Sequence, residues 1–481
     1  MLNRRHFLTY SALSSATFAY PGLFRSAFGQ IPGTRPLRLA VLGSEYRLGS
    51  HLQDIADRFL VGYPHDGDWY KPDVQVVSVY VDQHARIADA RPSSYDISMT
   101  SSAGSFPFPK EQAEQRAARN AKGGAPLRSQ QREEEPASAG DLSAARAKQF
   151  GFRLSHNIPD ALRCGGDRIA VDAVLTMVEQ DSQLPYPANH RGQILLPSYD
   201  FFQQCVQVFE EEKHGVPYFN HRELSFSFAE ALRMVETAER LRFPLLAGSS
   251  MPVTWRLPDV DIPLGTNVEE AVVVGFGGFD AMAFDALEAM QSMVERRKGG
   301  ETGVKSVQLL EGDDVWKAAE AGRWSHELLR SALSRSDTPL GLTVLDGRTQ
   351  DLAAPGVLQQ VVPNPIACSI EYSDGTKGTL LMLDGAIQDF NVSVRITGQE
   401  MVSTQFFMPP KPNRANAACL AAKIEQMYQT RTAPYSAKRT LLTSGILEAA
   451  VNSRHRLNER LETPHLAVSY QPPTESQYAR T

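Results

Sequence analysis

The sequence predicts an α/β protein in which a Rossmann-like doubly wound parallel sheet is followed by an α+β domain with an open, mostly antiparallel sheet. Two observations carry that expectation. From Leu37 to about Ser250, short apolar, β-favouring runs alternate with amphipathic helix patterns, as in repeated βα units. Beyond Ser250 the alternation gives way to strand-rich blocks, a hairpin signal at Ser373-Asp-Gly-Thr376 and closing helices. The 481 residues suffice for two domains, each burying its own core.

In order, Leu37–Leu42 is a strand ending at Gly43, and Leu52, Ile55, Ala56, Phe59 and Leu60 mark one face of a helix that Ser50 can cap. Val74–Val81 is a second strand, ending in Asp82, with the polar stretch Gly62–Asp73 between them. Pro92–Gly140 is poor in large aliphatic residues and is expected to be a disordered insertion. Helices follow at Leu142–Phe150 and Ile158–Cys164, then a strand at Val171–Val178, a helix at Tyr199–Glu212, a strand at Val216–Phe219, a helix at Ala229–Leu241 and a strand at Pro244–Ala247. In the second domain we expect strands at Val268–Gly277 and Val304–Leu310 around a helix, Ala281–Val294. A helical stretch Val315–Leu333 precedes the hairpin, strands Gln388–Thr397 and Met401–Met408, and helices Ala415–Tyr428 and Ala437–Ser453. Expected boundaries are 36–250 and 251–470, with a tail at 471–481; the charged loop Arg296–Gly300 reads as solvated.

The N-terminus, Asn3-Arg4-Arg5-His6-Phe7-Leu8, has the paired arginines of a twin-arginine export signal; a weakly apolar stretch and Ala27-Phe28-Gly29 complete it, so residues 1–29 are expected to direct the folded chain to the periplasm through the translocase. That stretch is too short and polar for a stable membrane anchor. Its loss removes Arg4, Arg5 and Arg25, leaving 46 of 49 basic residues against 55 acidic, a charge of −9 that argues against nucleic acid as a partner. The four cysteines lie far apart and read as isolated thiols, and the histidines lack metal-ligand spacing, so no metal is expected.

A strand, a glycine turn, a helix and a second strand ending in Asp make the plan of a dinucleotide half-site. Gly43, Ser44 and Arg47 would then face the pyrophosphate and Asp82 the ribose, although Gly43-Ser-Glu-Tyr-Arg-Leu-Gly49 departs from the usual G-x-G-x-x-G. Ser249-Ser250 falls at the end of the sixth strand, and Trp255 beside Arg256 offers an aromatic face and a cation suited to a sugar-like substrate.

In this order of pieces the chain resembles the Gfo/Idh/MocA-type (glucose-fructose oxidoreductase-like) proteins over residues 37 to 470. Ser198-Tyr-Asp-Phe-Phe202, Ala247-Gly-Ser-Ser-Met-Pro-Val-Thr-Trp-Arg256, Glu295-Arg-Arg-Lys-Gly-Gly-Glu-Thr-Gly303 and Ser403-Thr-Gln-Phe-Phe407 look like blocks of a divergent, exported branch. The resemblance implies a tightly held NAD, with NADP as the alternative, and pairing of copies through the open sheet. It also implies a Lys near the reacting carbon, where Phe219-Asn-His-Arg-Glu-Leu224 places Arg222, and a His/Asp pair, where Phe284-Asp285-Ala-Leu-Glu288 places two carboxylates on one helix face. Arg222 can anchor a substrate but cannot act as a base, whereas Asp285 and Glu288 could do acid–base work if one pKa were raised. The leading expectation is therefore an exported oxidoreductase moving a hydride between a bound nicotinamide dinucleotide and a sugar or polyol hydroxyl. A non-redox ligand-binding or structural descendant of the fold, and an NAD-assisted glycoside lyase or hydrolase, stay open beside it.

Overall fold

The computed structural model describes residues 35–65, 67–84, 140–180, 184–341, 347–409 and 414–480. The expected export signal, and all of the expected insertion after residue 91 except Gly140, lie outside these residues.

Strand β1 (Leu37–Gly43) runs straight into the turn before α1 (His51–Val61). Helix α1 buries Leu52, Ile55, Ala56 and Phe59 on the face its apolar spacing defines. Each large side chain so removed from water is worth about 1.5–3 kcal/mol. The polar stretch after it folds as a small hairpin, β2 (Tyr63–His65) and β3 (Asp68–Tyr70), before β4 (Val74–Val81). Helix α2 (Ser143–Phe150), strand β5 (Arg153–Ser155), helix α3 (Ile158–Arg163) and strand β6 (Ala173–Met177) follow. The remaining βα units are α4 (Ser198–Glu212), β7 (Tyr218–His221), α5 (Phe228–Leu241) and β8 (Leu245–Gly248). The six strands lie in the order β5-β4-β1-β6-β7-β8, every pair parallel. The strand order reverses between β1 and β6, so the carboxyl ends of these strands open the crevice where ligands of doubly wound folds bind.

The second sheet is built from β9 (Arg256–Leu257), β10 (Val268–Gly275), β11 (Val304–Glu311), β12 (Ile366–Tyr372), β13 (Lys377–Met382), β14 (Phe390–Ile396), β15 (Val402–Phe406) and β16 (Leu461–Glu462), in the order β16-β11-β12-β13-β10-β14-β15-β9. Its neighbours are antiparallel except β10 with β13. The turn Ser373–Thr376 joins β12 to β13 as its sequence requires, with Thr376 N–H donating to Asp374 Oδ1 at 3.1 Å. Helix α6 (Phe279–Val294) lies beneath this sheet and is buried almost all round. The single helical stretch expected over 315–333 is two helices, α7 (Asp313–Glu320) and α8 (His326–Leu333), because Gly322 takes a left-handed φ of +69° between them and Ser325 caps the second. Short α9 (Val357–Val361) precedes β12, and α10 (Asn416–Thr430) and α11 (Lys438–His455) pack back onto α1 and α6. Cys164, Cys205, Cys368 and Cys419 are free thiols. Among the described residues, no helix is long and apolar enough to cross a membrane.

Candidate functional site

The turn between β1 and α1 sets the geometry. A Cβ at Gly43 would sit 2.8 Å from the Leu52 side chain and 3.2 Å from Met177 O, so glycine lets the helix lie close against β1 and β6. Ser50 caps α1: its hydroxyl accepts from Gln53 N–H at 3.2 Å and donates to Arg47 O at 2.9 Å. Two further donors at the helix start, His51 N–H and Leu52 N–H, reach Glu179 Oε1 at 2.8 and 3.3 Å. Glu179 stands just beyond β6, held by its own N–H donating to Ser44 Oγ at 3.0 Å. A carboxyl group of this chain thus occupies the place at which a helix N-terminus would receive a pyrophosphate. Burial, with Glu45 close by, pushes the Glu179 carboxyl up to about 8, against the pull of the two N–H bonds.

The other groups expected to hold a dinucleotide are also engaged. Arg47 is buried and donates to Glu45 Oε2 at 3.1 Å and to Gln83 Oε1 at 2.7 Å. Tyr46 is buried beside it, its hydroxyl on Asp57 at 2.6 Å. Tyr80 OH donates to one oxygen of Asp82 at 2.9 Å and Tyr186 OH to the other at 2.8 Å. A dinucleotide in the ordinary half-site needs free N–H groups at α1 and a carboxylate open to the ribose, so the residues present do not fit that group in that place.

The opposite wall of the crevice carries Arg222, Asp285 and Glu288. Arg222 follows β7 with a left-handed φ of +60°, and its N–H donates to Gly248 O at 3.0 Å. A non-glycine residue in this region is strained, as groups positioned for function often are. The guanidinium lies 3.7 Å from Asp285 Oδ2 and 3.4 Å from Glu223 Oε2, above the Phe284 ring. Asp285 is half-buried; desolvation raises its pKa, and Arg222 and the Ser249 hydroxyl oppose the rise. Glu288, one turn on, is fully buried and accepts from Ser249 N–H at 3.1 Å, Thr440 Oγ1 at 3.2 Å and Thr443 Oγ1 at 3.3 Å. Its carboxyl is pushed up to about 7 by burial. Gly248 makes room for it, since a Cβ there would collide with Glu288 Oε2. The structure therefore brings Arg222 and Asp285 together at the crevice and encloses Glu288 behind Ser249.

Trp255 and Arg256 part company. Trp255 is half-buried edge-on to Phe407, whereas Arg256 is 1% exposed and lies 4.0 Å over the Tyr478 ring. The loop expected to be solvated is a correction: Arg296 and Arg297 are buried, Arg296 on the carbonyls of Ile262, Pro473 and Thr474, and Arg297 on Glu301 and Asp374. A charge run that finds carbonyls and carboxylates in the fold need not stay in water.

Sequence reasoning missed Glu179 and Tyr186, which close the half-site, and the rings of His51 and His221, 4.6 Å apart between α1 and β7. It also missed Asp280, whose carboxyl burial and Glu223 push up to about 6. The one available signal was an acidic residue placed directly after a buried strand. Among the described residues no group of three or more His, Cys, Asp or Glu side chains could hold a metal.

By strand order and crevice, the chain has a Rossmann-type domain joined to an open, mostly antiparallel sheet. No family model and no curated protein matches the sequence. Among solved structures, GenD2 from gentamicin A biosynthesis in complex with NAD is similar at a TM-score of 0.49 and 12% identity, over 89% of this chain and 97% of that one. The myo-inositol dehydrogenase from Lactobacillus casei, in complex with NAD(H) and myo-inositol, is similar at 0.47 and 11%, over 89% and 96%. For the myo-inositol 2-dehydrogenase from Lactobacillus plantarum the values are 0.44 and 11%, over 89% and 99%.

Proposed function

We propose that this chain is an exported, non-redox protein of this two-domain fold, which binds a small sugar- or polyol-like ligand in the crevice and holds no dinucleotide in the ordinary half-site. The observation that carries the reading is Glu179 seated on the N-terminus of α1. Of the possibilities the sequence leaves open, hydride transfer and NAD-assisted glycoside chemistry both require those N–H groups for a pyrophosphate, and ligand binding without redox does not. Arg47 and Asp82 support the same reading, because each already satisfies, or is satisfied by, side chains of this chain.

What the crevice offers instead is a cation between carboxylates. Arg222 lies between Asp285 and Glu223, and the Ser249 hydroxyl bonds to Asp285. Such a set matches vicinal hydroxyls, which donate to carboxylates and accept from a guanidinium. Export rests on Arg4-Arg5 and the stretch that follows. Binding without redox turnover suits a compartment with no nicotinamide pool.

The experiment is to purify the folded full chain, denature it, and examine the supernatant by absorbance and mass. The reading expects no nicotinamide nucleotide. Stoichiometric NAD or NADP would overturn it and restore the two dinucleotide-dependent readings, with Glu179 displaced from α1 in the loaded protein.

A further inference from the structure

The second sheet is apolar on both faces. Along its strands the side chains alternate: Val273, Leu309, Leu380 and Val392 belong to the core that includes α6, whereas Val272, Val274, Leu310 and Leu381 belong to a separate core on the opposite, outer face. A sheet with one polar face can leave that face to water, but a sheet apolar on both has to be covered on both. The cover of the outer face comes from this chain. Val315 of α7, Leu328, Leu329 and Ala332 of α8 and Leu358 of α9 complete the outer core, with Trp324 buried between α7 and α8. Helix α7 lies against β11, and α8 against β10, β14 and β15.

Where the outer face turns polar, on β14 and β15, its side chains are bonded to the same cover. Ser393 Oγ donates to Leu328 O at 2.6 Å, and Arg335 Nε donates to Ser403 Oγ at 2.8 Å. Gln405 Nε2 donates to Asp337 Oδ1 at 2.6 Å. Asp389, at the start of β14, accepts from Ser336 Oγ at 2.8 Å and Asp337 N–H at 3.1 Å. At the other end of α8, Ser325 N–H donates to Glu270 Oε1 at 3.0 Å, and Arg395 donates to Ser325 Oγ at 2.9 Å. Ser393, Ser403, Gln405 and Asp389 are all buried by these contacts. The cover is therefore held by apolar packing in its middle and by hydrogen bonds at both ends, and displacing it would strand buried polar groups as well as apolar ones.

We propose that α7, α8 and α9 take the place of a partner subunit: they seal the outer face of the second sheet against a second copy, so that the protein is a monomer and one chain alone furnishes the crevice. Pairing of copies through this sheet, which the resemblance implies, needs an accessible face, and a stable pair buries about 1,200–2,000 Å² in all. Among the described residues, the large apolar side chains left exposed are Leu48, Val61, Trp69, Leu264 and Leu457, and none stands on a strand of this sheet.

The test has two readouts on the full chain. Sedimentation velocity from micromolar to sub-millimolar protein should give one species with the mass of a single chain, and a dimer or a mass that climbs with concentration would overturn the proposal. The second readout is Ser393→Cys, which puts a thiol on the outer face beneath α8. In native buffer a water-soluble maleimide should label this variant no faster than the wild-type chain with its own four cysteines, and the extra thiol should react only once urea unfolds the protein. Rapid extra labelling of the folded variant would show that the face is open and would overturn the proposal. Should Ser393→Cys fail to fold, Ser403→Cys, also buried beneath the cover, is read in the same way.

Discussion

Replacing Glu179 by glutamine keeps an oxygen that can accept from His51 and Leu52 N–H but removes the titration. The folded carboxyl ionises near 8, against about 4.3 in an unfolded chain. An acid with a raised folded pKa holds a proton the unfolded chain has lost, so stability falls as pH rises between the two values and is level above the higher one. At about 1.4 kcal/mol per unit the full shift sets a ceiling of about 5 kcal/mol. The partial exposure of Glu179, together with local relaxation, brings our expectation to about 1–3 kcal/mol. Asp280 and Glu288, pushed up to about 6 and about 7, act in the same direction but finish titrating earlier. The wild-type chain should therefore lose stability from pH 5 to 8, and Glu179→Gln should remove Glu179's share across that window, which is most of the fall that remains between 7 and 8. The assay is urea unfolding at half-unit steps from pH 5 to 9. Glu179→Gln should match the wild type near pH 5 and exceed it by about 1–3 kcal/mol at pH 8.5. A variant less stable than wild type at pH 8.5 would refute the reasoning. It would mean that Glu179 is ionised throughout and held by the helix terminus as an ordinary acidic cap.

Two other substitutions test the packing behind the site. Gly248→Ala places a Cβ against Glu288 Oε2 at a residue with φ of +124°, so the unfolding free energy should drop by about 2–4 kcal/mol; a neutral effect in a urea titration would contradict this close approach. Arg439→Met leaves Glu295 buried without its bidentate partner and should cost about 3–5 kcal/mol, read as an earlier urea midpoint, whereas a loss below about 1 kcal/mol would show that Tyr470 and nearby groups suffice to hold that charge.

The elements legible in the sequence were those decided by neighbours along the chain. Ser50 caps α1 because a hydroxyl three residues before Gln53 can reach its N–H, and the Ser373–Thr376 turn carries its own chemistry. The parallel, doubly wound character of the first sheet followed from alternating strands and helices. What could not be read locally was which polar groups meet across the fold. Glu179 and His51 are 128 positions apart, and the turn departed from G-x-G-x-x-G without showing what fills the space. Asp82 matched a ribose ligand by position, but its partners were set by Tyr80, two residues away, and Tyr186, 104 residues away. Arg296 and Arg297 read as solvated because charge runs usually are; their carbonyl and carboxylate partners come from the tail, the β12–β13 turn and Glu301.

The central claim is that α1 is closed by Glu179, and titrating NAD into the wild-type chain and into Glu179→Ala, by calorimetry at pH 7.5, addresses it most directly. The account predicts no heat of binding for the wild type up to millimolar NAD, and at most weak binding once the helix N-terminus is opened in the variant. Micromolar binding to the wild type, unchanged in Glu179→Ala, would contradict it.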